Sequence, residues 1–222
     1  EIHFTPLMAE AIVTGKFPLS PLGLIHVDQT LQQHAPLHPG DTVDAQATLA
    51  ELRETDRGME VDFDLRLTRD GATLWSGVTT LLSRSAATRS GHGRRAARKA
   101  APAPGPDAQE IDVPGDTGLA YARVSGDYNP HHLWWFTAKP LGYKRPIAHG
   151  MWTFARALAD ALATVDADAP VQASAAFKRP VFMPGRIRLD APRLTPDHRE
   201  TPLDVRDPQS GAPHLVGRCA WA

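Results

Sequence analysis

Apolar residues recur along the chain with two different periods, and the changes of period divide it into two similar halves. Near the start, Leu7, Met8, Ala11, Ile12 and Val13 repeat at helical spacing and Gly15 offers a stop, which predicts a helix over 3–16. After a Pro-Leu-Ser-Pro-Leu-Gly loop a period of two takes over and predicts strands over 24–34, 42–52, 59–68 and 72–82. The third of these alternates cleanly, with Val61, Phe63, Leu65 and Leu67 on one face and Asp62, Asp64 and Arg66 on the other, as a half-buried antiparallel strand should. Asp70-Gly71 is a hairpin signal between the third and fourth.

The second half follows the same order. A helix is predicted over 117–124 and a long one over 150–165, carrying Met151, Trp152, Phe154, Ala155, Leu158, Leu162 and Val165; Arg156 and Asp160 stand four apart, spaced to pair on its outer face. Strands are predicted over 171–181, 187–194, 201–206 and 214–221, with Ser210-Gly211 near the last turn. Pro39-Gly40 and Pro184-Gly185 each fall between the first and second strands of their half. A helix followed by four strands thus occurs twice with no βαβ alternation, which indicates an α+β fold in which a sheet wraps around an apolar helix.

Composition narrows the function. With 222 residues, 42% of them hydrophobic, the chain has material for one large or two small cores. A formal net charge of −1 gives no electrostatic case for a nucleic acid or a membrane as partner. The single cysteine, Cys219, excludes an intrachain disulfide framework and fits a reducing compartment. No apolar run is long enough to span a bilayer and no signal-peptide pattern is present, so a cytoplasmic location is expected; the chain starts at Glu1 rather than methionine, which leaves room for residues upstream. Residues 84–106 interleave Arg84, Arg89, Arg94, Arg95, Arg98 and Lys99 with Ala, Pro, Gly and Ser and contain no acid. Without aromatic residues among those charges, the stretch reads as a solvated connector rather than a nucleic-acid patch. The expected division is 1–84, a linker over 85–110, and 111–222.

The chemistry is concentrated between Tyr121 and Met151. Asp127 and His132 stand five residues apart around Asn129-Pro130, a favoured N-cap and a favoured first helical residue, so a short helix should begin there with His132 in its first turn and Asp127 in the loop before it. The two side chains then face one another. Downstream, Pro146-Ile147-Ala148-His149-Gly150-Met151 opens the long helix, which points the Gly150 N–H out of a helix N-terminus. A free carboxylate is ionised and a free imidazole mostly neutral at pH 7, so such a pair could hold one water between them.

Ser125, Gly126, Asp127, Asn129, Pro130 and His132, followed by Pro146, Ile147, His149, Gly150 and Met151, resemble the signature of the MaoC-like or (R)-specific enoyl-CoA hydratases. Phe177-Lys178-Arg179-Pro180-Val181 with Pro184-Gly185 resembles the strand after that family's central helix. One position departs: the residue before the histidine is usually aliphatic and here it is His131.

The resemblance implies a double hotdog, two helix-wrapped antiparallel sheets joined as a pseudo-dimer, with the first half lacking the motif and shaping an acyl tunnel. It implies reversible hydration of trans-2-enoyl thioesters to (R)-3-hydroxyacyl thioesters. Asp127 and His132 would activate the water and the Gly150 amide would polarise the carbonyl, with Asn129 and His149 supporting. Lys144, Arg145, Lys178 and Arg179 are candidate contacts for coenzyme A phosphates, with ordinary solvated charge as the alternative. Trp134, Trp135 and Phe136 read better as core or tunnel wall than as a cofactor platform. No cofactor is expected beyond the coenzyme A or acyl carrier protein that bears the acyl group. No metal is expected either, because adjacent helical residues such as His131 and His132 diverge and no His-x-x-x-His spacing occurs. Acyl carrier protein is a candidate partner, and a homodimer is left open. A Ser125-His132-Asp127 hydrolase lacks the Gly-x-Ser-x-Gly elbow. The competing readings are a hotdog thioesterase and a non-catalytic subunit that binds acyl thioesters.

Overall fold

The computed structural model describes residues 4–13, 17–20, 23–84 and 103–221; His3, the expected helix stop at Gly15 and the basic run from Arg89 to Lys99 lie outside the described residues. Among them, nine strands form one antiparallel sheet: β1 (Leu24–Gln33), β2 (Asp44–Thr55), β3 (Gly58–Arg69), β4 (Ala72–Arg84), β5 (Gln109–Val113), β6 (Val171–Phe177), β7 (Gly185–Asp190), β8 (Glu200–Arg206) and β9 (Pro213–Trp221). The helices are α1 (Thr5–Val13), α2 (Thr117–Ser125), α3 (Trp135–Ala138) and α4 (Gly150–Ala161).

The strand order, β2-β3-β4-β1-β6-β9-β8-β7-β5, is close to a palindrome about its centre. Outward from the middle, β1-β4-β3-β2 on one side matches β6-β9-β8-β7 on the other, which is the helix-then-four-strands repeat laid out in space. β1 and β6 pair from Asp28↔Ala176 to Gln33↔Val171, so each half covers an edge that the other would leave unpaired. This is the double-hotdog architecture.

The alternation in β3 has the expected outcome. Val61, Phe63, Leu65 and Leu67 are buried in one cluster with Phe4, with Met8 of α1 and with Trp75, while Asp62 on the other face accepts hydrogen bonds from Thr80 Oγ1 at 2.7 Å and Arg53 Nη1 at 2.5 Å. Between β3 and β4, Asp70 and Gly71 both take positive φ (51° and 79°), the geometry of a two-residue turn whose twist matches the strands. In the second half, Phe154, Ala157 and Ala161 of α4 share a core with Ala173 and Ala175 of β6, Ile187 of β7, Leu203 and Val205 of β8, and Leu215 and Cys219 of β9.

Several boundaries differ from the sequence reading. α4 ends at Ala161, four residues before 165, because the chain after β7 folds over its end: the Leu194 N–H donates to Ala161 O at 2.8 Å and Thr164 Oγ1 donates to Leu194 O at 2.7 Å. β6 stops at Phe177 rather than at 181, since the N–H groups of Lys178 and Arg179 both turn to His214 O. Gln109–Val113 is a strand that begins inside the stretch read as linker, paired to β7 with Arg186 reaching Asp112 and Glu110 across the pair. Asp160 accepts from Gln109 Nε2 at 2.5 Å instead of pairing with Arg156.

Candidate active site

Each residue of the first motif block has a mechanical task. α2 closes on Gly126, whose φ of 74° is left-handed and whose N–H donates to Ala122 O at 2.9 Å. The Asp127 N–H donates to Ser125 Oγ at 3.2 Å, and Asp127 Oδ1 accepts from the Asn129 N–H at 3.0 Å, closing an Asx turn. Pro130 then starts a single 3₁₀ turn, Pro130–His132, whose last N–H donates to Asn129 O at 3.0 Å. Asn129 occupies the N-cap position as expected but works through its backbone, for its side chain makes no capping bond.

The second block is held from two sides. Ala148 N–H donates to Val181 O and Met183 N–H to Pro146 O, both at 2.8 Å, while Ile147 N–H donates to His131 O at 3.1 Å. This lacing carries His149 to the N-cap of α4 and places Gly150 as its first residue. A Cβ on Gly150 would stand 3.0 Å from the Phe177 ring, tight enough that the ring would have to give by a few tenths of an ångström.

These two blocks bring Asp127, His132 and His149 together. His132 Nδ1 lies 2.7 Å from Ile147 O, and because a carbonyl can only accept, the ring proton sits on Nδ1 and the lone pair on Nε2. That bare nitrogen is 3.9 Å from Asp127 Oδ2. The separation is too long for a direct hydrogen bond, yet one water at about 2.8 Å from each atom would bridge it. His149 Nε2 donates to Asp127 O at 3.0 Å and lies 3.7 Å from Asp127 Oδ2. The side chains of His132 and His149 are 9% and 3% exposed and that of Asp127 33%, so the carboxylate is the member through which solvent or substrate meets the group.

The imidazoles form a continuous stack. His149 lies on His132 with centroids 3.6 Å apart and planes 23° from parallel, His131 tilts against His132 at 4.0 Å, and Tyr121 and Tyr143 close the two ends at 4.9 and 5.5 Å. Burial pushes all three histidines down: His131 to about 4, His132 well below the usual imidazole range with the neighbouring His149 and His131 adding to the effect, and His149 downward against the pull of the Asp127 carbonyl and carboxylate. All three are therefore neutral at pH 7.

A consequence for stability follows with a definite sign. Below about pH 6.5 the unfolded chain takes up protons at these positions and the folded chain does not, so stability is highest above that pH and falls as pH drops toward the folded values, about 4 for His131. The melting temperature should be several degrees lower at pH 5 than at pH 7.5, and His131→Gln should flatten that dependence. An equal slope in wild type and variant would contradict the assignment.

The remaining candidates are dispersed. Lys144, Arg145, Lys178 and Arg179 are all exposed. Arg145 donates to Pro184 O at 3.0 Å and lies over the Phe182 ring at 5.7 Å, which ties it down rather than leaving it free for a phosphate. Trp134, Trp135 and Phe136, read as core or tunnel wall, are 47%, 64% and 55% exposed; Trp134 stacks on Phe136, and Trp135 meets Phe136 edge-on. His131 and His132 do not diverge as expected from adjacent helical positions: their ring centroids stand 4.0 Å apart. Asp127, His132 and His149 have ligand atoms within 4.8 Å of one another. They suit a metal poorly: an ion on His149 Nε2 would displace the bond to Asp127 O, leaving that buried ring without a hydrogen-bond partner on either nitrogen. Two surface hollows, of about 230 Å³ beside Thr30, Asp64 and Arg66 and about 410 Å³ beside Asp112, Arg186 and Gln209, are not lined by these residues.

Sequence reasoning passed over Gly118. A Cβ there would lie 1.9 Å from His132 O, so this glycine sets how closely α2 packs under the histidine turn. The available signal was a glycine placed inside a helix, where it costs about 1 kcal/mol relative to alanine and so asks for a packing reason.

Comparison with known proteins identifies the family. The sequence profile of the MaoC like domain matches residues 99–201. The chain is 32% identical over 209 residues to the 3-hydroxyacyl-thioester dehydratase X of Mycobacterium tuberculosis, covering 93% of this chain and 72% of that protein. It is also 32% identical over 188 residues to the dehydratase Y of the same organism, covering 80% and 63%. A crystal structure of HtdX from Mycobacterium tuberculosis superposes with a TM-score of 0.80 at 26% identity, covering 100% of this chain and 84% of that one. A MaoC-like dehydratase from Phytophthora capsici shares the fold, with a TM-score of 0.73 at 21% identity over 94% of this chain and 72% of the other. No helix among the described residues is long and apolar enough to cross a membrane. With motif, double-hotdog sheet and a relative matched over 93% of this chain and 72% of the relative, the chain belongs to the MaoC-like dehydratase family.

Proposed function

We propose that the protein catalyses the reversible interconversion of trans-2-enoyl thioesters and (R)-3-hydroxyacyl thioesters by adding or removing water. The observation that carries this reading is the bare His132 Nε2 facing Asp127 Oδ2 across 3.9 Å, a gap that suits one water, in a chain whose relatives include two named 3-hydroxyacyl-thioester dehydratases. In the hydration direction the carboxylate and the imidazole both accept hydrogen bonds from that water. Its oxygen bonds to C3, one of its protons passes to the pair, and the pair delivers a proton to C2 on the same face. As charge builds on the thioester oxygen, the Gly150 N–H at the start of α4 supplies a fixed donor and the positive end of the helix dipole. The two proton transfers are assigned to the pair as a unit.

The acyl carrier is coenzyme A or an acyl carrier protein, and the exposed Lys144, Lys178 and Arg179 are cations that would meet its phosphates. Incubation with trans-2-enoyl-CoA separates the reading from its competitors. Hydration consumes the conjugated double bond and frees no thiol, with chiral analysis of the product giving the (R) alcohol. Thiol release would instead mark a thioesterase, and no change in either signal a binding subunit. The same assay with the enoyl group on acyl carrier protein identifies the carrier.

A further inference from the structure

We infer that His149 is a positioning residue with two separable tasks: its Nε2–H holds the Asp127 segment, and its ring shields His132 from water. This rests on the proposed role of Asp127 and His132. His149 touches both members of the pair through different parts of one side chain. Its Nε2–H donates to the carbonyl of Asp127, not to the carboxylate, so it fixes the backbone from which the carboxylate hangs. Its face covers His132 at 3.6 Å.

The proton inventory of this stack explains why a histidine can do this without competing as a base. With its proton on Nε2, His149 keeps a lone pair on Nδ1, and that atom is buried without a hydrogen-bond partner among the described residues. A second proton there would have no acceptor, and the resulting charge would lie against His132. Asp127 is the acidic group facing the stack; His131, Tyr121 and Tyr143 are the other titratable neighbours. His149 therefore remains a neutral ring while Asp127 and His132 exchange protons with substrate. It is also the residue before Gly150, so the same side chain ties the acid, the base and the first N–H of α4 into one unit.

Two substitutions divide the tasks. His149→Phe keeps an apolar ring over His132 but removes the bond to Asp127 O. It should lower kcat about tenfold or more, because the carboxylate loses its register, while the acid limb of the pH profile stays where it is in wild type. His149→Gln keeps an N–H close to the Nε2 position but removes the ring. It should recover a good part of kcat, and its acid limb should move to higher pH as water reaches His132. Simple packing predicts otherwise, with Phe restoring full activity and Gln restoring none. The inference is overturned if Phe retains wild-type kcat, or if the acid limb of Gln coincides with that of wild type. Nitrogen-15 NMR titration of His132 in the wild-type and Gln proteins, assigned with His132→Asn, reads the second task without turnover. An upward movement in Gln supports it even if wild type fails to hydrate enoyl thioesters, and no movement overturns it whatever the activity.

Discussion

Asp127→Asn is expected to lower the hydration rate by about 10² to 10⁴, the range typical of removing one positioned acid–base group, while leaving the fold in place. The reason lies in how the two carboxylate oxygens are used. Oδ1 accepts the Asn129 N–H that closes the turn, and the side-chain oxygen of an asparagine can accept the same bond, so the backbone that aims the site survives. Oδ2 faces His132 Nε2 and His149 Nε2, and there asparagine presents an NH₂ that donates where the water needs an acceptor. For the base, His132→Ala removes Nε2 but also leaves Ile147 O unpaired in the interior, at a cost of about 1–3 kcal/mol, so its loss of activity mixes chemistry with stability. His132→Asn is the cleaner variant, since its amide nitrogen can replace Nδ1 as donor to Ile147 O while nothing replaces Nε2. Because both groups act on one water, the double variant Asp127→Asn/His132→Asn should be little slower than either single one. Enoyl-CoA absorbance and circular dichroism on the same samples test this. A variant that keeps its fold and more than about a tenth of wild-type kcat/KM would remove that residue from the chemistry.

What could be read from the residues, and what could not, follows the range of the forces involved. The turn that presents Asp127 and His132 is built from contacts no more than a few residues apart, Gly126 to Ala122, Asp127 to Ser125, Asn129 to Asp127, and its geometry is therefore written in the local sequence. β3 and α4 were legible because burial imposes a period on them. β5 was not, because in a five-residue edge strand only Ile111 and Val113 are apolar, too few to establish alternation, and its place is set by pairing to β7. The contact between His149 and Asp127 depends on the segment after β6 folding back to hold residues 146–148, which spacing along the chain does not encode. Trp134, Trp135 and Phe136 misled for a related reason. Three consecutive aromatics have no period, and the segment breaks into short turns at Pro140 and at Gly142, whose φ is 87°, so these rings never align with the core.

Gly118→Ala should be the most damaging conservative change outside the pair itself. On helix propensity alone it would stabilise α2 by up to about 1 kcal/mol, since glycine in a helix costs that much relative to alanine. Packing reverses the sign. The added Cβ would lie 1.9 Å from His132 O, 2.8 Å from Met183 Cε and 3.0 Å from His132 C. The methionine can swing aside, but the carbonyl cannot, because it belongs to the 3₁₀ turn whose backbone is bonded to Asn129 and whose ring is bonded to Ile147 O. α2 and the histidine turn must therefore separate by an ångström or more, and a displacement of that size at a reacting group costs about 10²-fold in rate. Gly115→Ala is the control: it stands three residues earlier, and its nearest contact, Pro184 Cδ at 3.7 Å, is ordinary van der Waals distance. A lowered melting temperature and a hundredfold slower hydration in Gly118→Ala, with Gly115→Ala unchanged in both, would place the constraint at the α2–His132 contact. If Gly118→Ala were as fast and as stable as wild type, His132 would not be held by α2, and the rigidity of the site would have to come from the Ile147 and His149 contacts alone.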